Sequence, residues 1–171
     1  MKKIILCGYM GSGKTTTARL LAKTIGIDYL DLDEIIEKNT GKTVSQLFEE
    51  QGEIKFRLLE HQTLKEVVEK STGFVLALGG GTPCYANNHL LLQRPDVVSV
   101  YLKTGIDEVI RRVTAQGNTR PLLAGKTPQE LKEFVGQHIF ERSYFYNHAQ
   151  YTVVTDAKTP EIVAEEILRL I

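Results

Sequence analysis

The stretch GYMGSGKT, residues 8–15, decides both the fold class and the first chemical prediction for this sequence. It fits the pattern G-x-x-x-x-G-K-[ST] at every fixed position, which Gly8, Gly13, Lys14 and Thr15 occupy. The pattern is short enough to arise by chance, so its surroundings decide whether it binds phosphate. A buried strand must end at its first glycine, and a helix must begin near its lysine.

Both surroundings are present. The apolar run KIILC, residues 3–7, predicts a buried strand that ends at Gly8. Apolar side chains then recur at helical spacing and predict an amphipathic helix, and they are Ala18, Leu21, Ala22 and Ile25. The alternative is a glycine-rich turn without a ligand, which the complete pattern in its required context disfavours.

A phosphate loop would point successive backbone N–H groups at an anion, and the helix N-terminus would add partial positive charge. Lys14 would contact the β and γ phosphates, and Thr15 would ligate Mg²⁺. The guanine-reading element N-K-x-D of GTPases is absent from the sequence, which disfavours a GTPase, and the predicted loop implies Mg²⁺ together with a bound nucleotide. The residues predicted to hold the phosphates are Gly11, Ser12, Gly13, Lys14, Thr15 and Thr16.

Composition excludes other classes of function. The chain has 171 residues, of which 42% are hydrophobic and 25% charged, as in one ordinary globular domain. Its 21 basic and 21 acidic side chains cancel, so no overall field attracts nucleic acid or an anionic membrane. Cys7 and Cys84 are too few for a disulfide framework, and no apolar run reaches the roughly 20 residues of a membrane span. We expect a cytoplasmic protein without nucleic-acid or membrane partners.

Apolar runs of strand length alternate with helical segments along the chain. The runs are KIILC (3–7), YLDL (29–32), FVLAL (74–78), VVSVYL (97–102) and YTVV (151–154). Continuous hydrophobicity predicts strands buried on both faces, and hence an α/β fold with a parallel sheet covered by helices. Capping boxes at Thr43 and Thr127 and the pair Thr159-Pro160 predict helix starts. Residues 115–128 lack periodicity, as lids over active sites do.

Two acidic residues follow the second predicted strand. Asp31 and Asp33 would lie at the C-terminal edge of the sheet, where open parallel sheets bind ligands. If the strand extends through both, they share one face, with Asp31 available for a magnesium-bound water and Asp33 for substrate. Spacing leaves two interpretations of Asp33 open. It is either the N-cap of the next helix or the group that orients an acceptor hydroxyl and accepts its proton.

The segment GEIKFRLLE, residues 52–60, places Arg57 within helical reach of Glu53 and Glu60. An exposed ion-pair ladder that adds little stability is the simpler interpretation. The alternative is that Glu60 holds the guanidinium so that Arg57 can grip a ligand carboxylate with two hydrogen bonds.

Three other features have open interpretations. The glycine run 79–81 lets backbone approach a ligand, although a plain turn explains it nearly as well. Arg120 either neutralises charge on a transferring phosphoryl group from the predicted lid or is a solvated loop residue. Arg142 either joins Arg57 as a second positive group or pairs with a surface acid.

Together these segments resemble the shikimate kinases, P-loop enzymes of the nucleoside-monophosphate-kinase-like group. The resemblance covers nearly the whole chain through GYMGSGKT, DLDEIIEKNTGKTVSQLFEEQGEIKFRLLE, ALGGGT, RPLL and ERSYFYNHA. It implies a three-layer P-loop fold with a five-stranded parallel sheet of order 2-3-1-4-5. It also implies a single kinase domain over residues 1–171 and a mobile lid near residues 112–126. The implied activity is ATP-dependent phosphorylation of the 3-hydroxyl of shikimate in the chorismate pathway, by a monomer.

The resemblance also implies roles by position. Asp33 would activate the acceptor hydroxyl, with Lys14 and Arg120 as further catalytic residues, and Asp31 would assist Mg²⁺ through water. The residues implied to bind shikimate are Asp33, Arg57, Gly79, Gly80, Gly81 and Arg142. Arg112, Arg120 and Pro160 are similar to positions around the nucleotide, although helix initiation alone would explain Pro160.

The chain departs from the family pattern in two places. Residues 144–146 read YFY where the family often has Pro-Leu-Tyr, and residues 82–85 read TPCY where many members have a small residue and then Val. Neither change removes a group that the chemistry needs. The alternatives are another small-molecule kinase, for gluconate or a nucleoside monophosphate, and a nucleotide-binding regulator without turnover.

Overall fold

A computed structural model describes residues 2–117 and 123–171, and its strands form one parallel sheet of order β2-β3-β1-β4-β5. The strands are β1 (Lys3–Cys7), β2 (Asp28–Asp31), β3 (Phe74–Ala77), β4 (Val97–Lys103) and β5 (Tyr151–Val154). The predicted parallel sheet and its order are confirmed. The five apolar runs gave the strand positions to within one residue at either end.

Three helices begin directly after the capping residues Thr43, Thr127 and Thr159, as predicted. The helices are α1 (Lys14–Ile25), α2 (Leu32–Thr40), α3 (Val44–Val68), α4 (Ile106–Ala115), α5 (Pro128–Tyr146) and α6 (Pro160–Leu170). Thr43 and Thr127 form complete capping boxes, and the Thr159 hydroxyl accepts a hydrogen bond from the third residue of α6. These caps satisfy backbone N–H groups that the first helical turn leaves without partners.

Both faces of the sheet are covered, which gives three layers. In β1, Ile4 and Leu6 point to the face that α1 and α6 cover. Ile5 and Cys7 point to the opposite face, which packs against α2, α3, α4 and α5. This double burial is the physical reason for the continuous apolar runs.

One glycine breaks helix α3, which carries Arg57, the residue predicted to bind the carboxylate of the substrate. Gly52 interrupts α3 with φ 78° and ψ 169°, a conformation that L side chains rarely adopt. The part of α3 after this break carries Arg57 and Glu60.

In residues 2–117 and 123–171, no helix has the length and apolarity needed to cross a lipid bilayer.

Candidate active site

The turn between β1 and α1 has the backbone of a phosphate loop. Gly13 is the N-cap of α1 and adopts a left-handed conformation, with φ 89°. At Gly8, φ is 147° and a Cβ would lie 2.6 Å from the carbonyl oxygen of Leu102. Neither position accepts a larger residue without strain. The glycines of the pattern are therefore required by geometry, and the first turn of α1 opens towards a cleft.

That cleft has a volume of about 220 Å³ and lies at the C-terminal edge of the sheet. It brings together most of the predicted residues, namely Gly11, Gly13, Lys14, Thr15, Thr16, Asp31, Asp33, Gly79 and Gly80. The Lys14 ammonium lies across the loop and donates to the carbonyl oxygens of Gly8 and Tyr9, at 2.9 Å each. Its charge thus faces the space where the loop would hold phosphates.

Asp31, and not Asp33, caps α2. The strand ends at Asp31, whose Oδ1 accepts hydrogen bonds from the N–H groups of Asp33 and Glu34 at 3.0 and 3.4 Å. The N-cap interpretation of Asp33 is therefore wrong. The strand does not extend to Asp33, so the condition under which the two aspartates would share a strand face is not met. Both still line the cleft, because the first helical turn returns the Asp33 side chain to it.

The second oxygen of Asp31 turns towards the phosphate loop. Oδ2 accepts a hydrogen bond from the Thr15 hydroxyl at 3.2 Å. A hydroxyl and one carboxylate suit Mg²⁺, which keeps several waters and takes its other ligands from substrate phosphates. In the parts of the chain that the structure describes, no cluster of three or more His, Cys, Asp or Glu side chains is placed to hold a metal alone.

Asp33 has an environment suited to proton transfer. Burial raises the pKa of its carboxyl to about 6, and the charges of Asp31 and Glu60 add to the effect while Lys14 opposes it. Its Oδ1 lies 3.3 Å from the point where a Cβ of Gly79 would be. No described residue donates a hydrogen bond to this carboxylate, which leaves its oxygens to a ligand in the cleft. A carboxylate with a pKa near 6 is ionised at neutral pH and still basic enough to accept a proton.

Arg57 does not belong to an exposed row of ion pairs on the helix surface, which was the simpler interpretation from the sequence. Its side chain is 16% exposed, and Glu60, which is 1% exposed, accepts a hydrogen bond from Arg57 Nη1 at 2.9 Å. Glu53 lies farther away, at 3.6 Å from Nε. A buried carboxylate that holds a guanidinium matches the second interpretation from the sequence, in which Glu60 positions Arg57.

The glycine run lets two arginines approach the cleft. A Cβ on Gly81 would lie 2.7 Å from Arg57 Nη2, and one on Gly80 would lie 3.6 Å from Arg142 Nη1. The Tyr146 hydroxyl, on the same helix as Arg142, donates to the carbonyl oxygen of Gly80. Within residues 2–117 and 123–171, no carboxylate lies within ion-pair distance of Arg142. The run thus allows close approach of side chains and does not serve merely as a turn.

A second cavity, of about 270 Å³, lies on the other side of the loop. Arg112 and Pro160 both line it, together with Gly11, Ser12, Gly13 and Thr16. Arg112 Nη2 donates to the carbonyl oxygen of Thr155 at 2.7 Å, and its Nε pairs with Glu108 at 2.7 Å. Pro160 also starts α6, so helix initiation and cavity lining coexist at this residue.

One predicted residue falls outside the described part of the chain, and two residues of the site were missed. Arg120 falls in the segment 118–122, outside the described residues. Arg112 belongs to the last turns of α4, so the proposed lid region starts within a helix. Sequence reasoning missed Gln116, which lines both cavities, and Thr82, whose hydroxyl donates to Glu60 at 2.6 Å. Neither belongs to a spacing pattern that would have marked it.

Comparisons with known proteins agree with this geometry. A family model described as shikimate kinase matches residues 10–171. The shikimate kinase of Flavobacterium johnsoniae is 48% identical over 171 residues, which cover 100% of this chain and 99% of that protein. The crystal structure of shikimate kinase from Bacteroides thetaiotaomicron has a TM-score of 0.89 at 36% identity, covering 99% and 97% of the two chains. Shikimate kinase from Acinetobacter baumannii, solved in complex with shikimate, has a TM-score of 0.87 at 34% identity, covering 99% and 92%.

Proposed function

This chain belongs to the shikimate kinase family, and on that premise we propose how its residues transfer the γ-phosphoryl group of ATP to the 3-hydroxyl of shikimate. One observation carries the proposal. Asp33, with its raised pKa, lies in the same cleft as the phosphate loop and beside the glycine run that Arg57 and Arg142 approach.

ATP occupies both cavities beside the loop. Its phosphates accept hydrogen bonds from the backbone of Gly11, Ser12 and Gly13 and from the first turn of α1, where Lys14 and Thr16 lie. Its adenine end lies in the second cavity, near Arg112 and Pro160. Thr15 would hold Mg²⁺ directly and Asp31 would hold it through water, and a bound ion would supply positive charge to the phosphates.

Shikimate lies on the opposite side of the phosphates. Arg57 and Arg142 bind its carboxylate, and Gly79, Gly80 and Gly81 leave room for its ring. The alternatives of a gluconate or nucleotide acceptor are less consistent with this cleft, because two half-buried arginine forks suit a small carboxylic acid. The shikimate complex of the Acinetobacter enzyme supports the same acceptor for this chain.

Transfer is direct, without a covalent enzyme intermediate. Asp33 accepts the hydrogen bond of the 3-hydroxyl and takes its proton as the oxygen bonds to the γ-phosphorus and the bond to the ADP oxygen breaks. Lys14 stabilises the negative charge on the phosphates. Arg120, as part of a lid over residues 112–126, would contribute about 10³-fold or more if it acts as an arginine finger.

We also propose a monomeric protein in the cytoplasm that acts on small molecules and has no nucleic-acid or membrane partner. Sedimentation at micromolar concentration tests the monomer.

The test of the activity is ADP release from Mg·ATP with a panel of shikimate, quinate, gluconate and nucleoside monophosphates. We expect turnover that depends on shikimate and the 3-phosphate as product. Brisk turnover with another acceptor and none with shikimate would refute the assignment. If the protein binds ATP but turns over none of these acceptors, the result would favour the alternative of a nucleotide-binding regulator without enzymatic activity.

A further inference from the structure

The segment TPCY, residues 82–85, departs from the family pattern, and it contacts Arg57 through Tyr85 and the Arg57 partner Glu60 through Thr82. It follows the glycine run directly and forms a tight turn. The Thr82 N–H donates to the carbonyl oxygen of Gly79 at 3.1 Å, and the Cys84 N–H donates to that of Gly81 at 2.9 Å. Asn88 Nδ2 holds the carbonyl oxygen of Thr82 at 2.9 Å. The turn is therefore fixed by backbone hydrogen bonds independently of Arg57.

Thr82 acts on Arg57 through Glu60. The Thr82 side chain is fully buried, and its hydroxyl donates to Glu60 Oε1 at 2.6 Å. The other oxygen, Oε2, accepts from Arg57 Nη1 at 2.9 Å. Each oxygen of this buried carboxylate thus has one partner, and the two hydrogen bonds fix the carboxylate plane. A fixed carboxylate fixes the direction in which Nη1 can point.

Tyr85 acts on the face of the guanidinium. The Arg57 Cζ lies 4.1 Å from the centre of the Tyr85 ring, while the rings of Phe56 and Phe48 lie farther away, at 5.4 and 5.6 Å. The Arg57 Nε is buried and has no hydrogen-bond partner among the described residues. Glu53 Oε1 lies 3.6 Å from Nε, beyond hydrogen-bond distance, so stacking on Tyr85 is the closest contact on the face of the guanidinium and restricts the tilt of its plane.

We propose that Thr82 and Tyr85 are positioning residues, which hold the Arg57 guanidinium in the orientation that grips the acceptor carboxylate. This inference rests on the proposed role of Arg57. A guanidinium held on its edge by Glu60 and on its face by Tyr85 loses little freedom when it binds a carboxylate, and that pre-organisation strengthens binding. The expected effect is on the affinity for shikimate, with little effect on the nucleotide.

The test uses four variants of the whole chain and three readouts. Tyr85→Leu removes the ring face, and Tyr85→Phe keeps it. Thr82→Val removes the donor to Glu60, and Thr63→Val is its matched control, because the Thr63 hydroxyl is also buried in this region but donates to the carbonyl oxygen of Leu59. The readouts are KM for shikimate, KM for ATP and kcat, with thermal unfolding to confirm the fold.

We expect Tyr85→Leu and Thr82→Val to raise the shikimate KM by about 3- to 30-fold, with the ATP KM and kcat within about twofold of wild type. Tyr85→Phe and Thr63→Val should remain near wild type in all three readouts. A lower Tm with unchanged shikimate KM would overturn the inference, as would equal effects on both substrates. Because Tyr85 is only half-buried, its variants test the inference even if Thr82→Val fails to fold.

A double-mutant cycle with Arg57→Ala separates this inference from the proposed function. If Tyr85 acts through Arg57, Tyr85→Leu should raise the shikimate KM no further in the Arg57→Ala background. An equal rise in both backgrounds would overturn the inference. If Arg57→Ala raises KM but Tyr85→Leu does not, only the positioning role fails. If Arg57→Ala itself leaves KM unchanged, the proposed grip on the carboxylate fails as well.

Discussion

Replacing Asp33 by Asn should make the protein both more stable and nearly inactive. Burial and the charges of Asp31 and Glu60 raise the pKa of Asp33 to about 6, against 3.8 for an unperturbed side chain. The folded protein therefore binds this proton more tightly than the unfolded chain does, so the ionised carboxylate destabilises the fold. This destabilisation is absent below pH 3.8, grows as the pH rises towards 6 and is complete above about 6.

The magnitude follows from the two pKa values. At about 1.36 kcal/mol per pKa unit the difference corresponds to about 3 kcal/mol, and partial solvent access reduces the expected effect to about 1–3 kcal/mol. Asn has nearly the same volume and carries no charge. We therefore expect Asp33→Asn to raise Tm at pH 8 by about 3–10 °C. Its kcat should fall by about 10²-fold or more, because an amide cannot accept the hydroxyl proton.

The assay pairs thermal unfolding at pH 8 and pH 4.5 with ADP release at pH 8. The gain in Tm should shrink at pH 4.5, where the wild-type Asp33 is largely protonated in the fold. Glu34→Gln is the matched control, since Glu34 lies in the same helical turn but is exposed and pairs with exposed Arg19. Its Tm should stay within about 1 °C of wild type. An Asp33→Asn variant that unfolds at a lower temperature at pH 8 and turns over normally would refute the reasoning.

The same contacts predict three further outcomes. The wild-type kcat/KM for shikimate should fall about tenfold per pH unit below about pH 6, because Asp33 must be ionised to act, and a flat profile down to pH 5 would argue against it. Lys14→Ala should lower kcat with every acceptor by about 10²-fold or more in steady-state assays, and an active variant would contradict the loop assignment. Gly81→Ala should raise the shikimate KM by about tenfold with the ATP KM unchanged, since its Cβ would lie 2.7 Å from Arg57 Nη2. Unchanged shikimate affinity would show that the guanidinium can move aside at little cost.

The sheet and the phosphate loop were predictable because their signals are local. A strand buried on both faces is apolar throughout, and the glycines at 8 and 13 occupy positive φ angles that few other residues adopt. The capping boxes of α3 and α5 are equally local, since both partners lie within four residues. These elements depend little on the remainder of the chain.

Tertiary contacts decided the questions that the sequence left open. The assignment of the N-cap depended on where β2 ends and α2 begins, and a helix start two residues earlier gave that role to Asp31 instead of Asp33. The spacing of Arg57 and Glu60 is the same in an exposed ladder and in a buried pair. Only the packing of the turn after Gly81 against α3 shows that Glu60 is buried and Arg57 half-buried. Burial likewise causes the raised pKa of Asp33, which no local pattern reveals.

The most direct test of the account is a crystal structure of this chain with shikimate, Mg²⁺ and a non-hydrolysable ATP analogue. We predict the shikimate carboxylate on Arg57 and Arg142, and the 3-hydroxyl within about 3 Å of an Asp33 oxygen and aligned with the γ-phosphorus. A complex in which the carboxylate lies away from both arginines, or in which Asp33 does not contact the 3-hydroxyl, would contradict it.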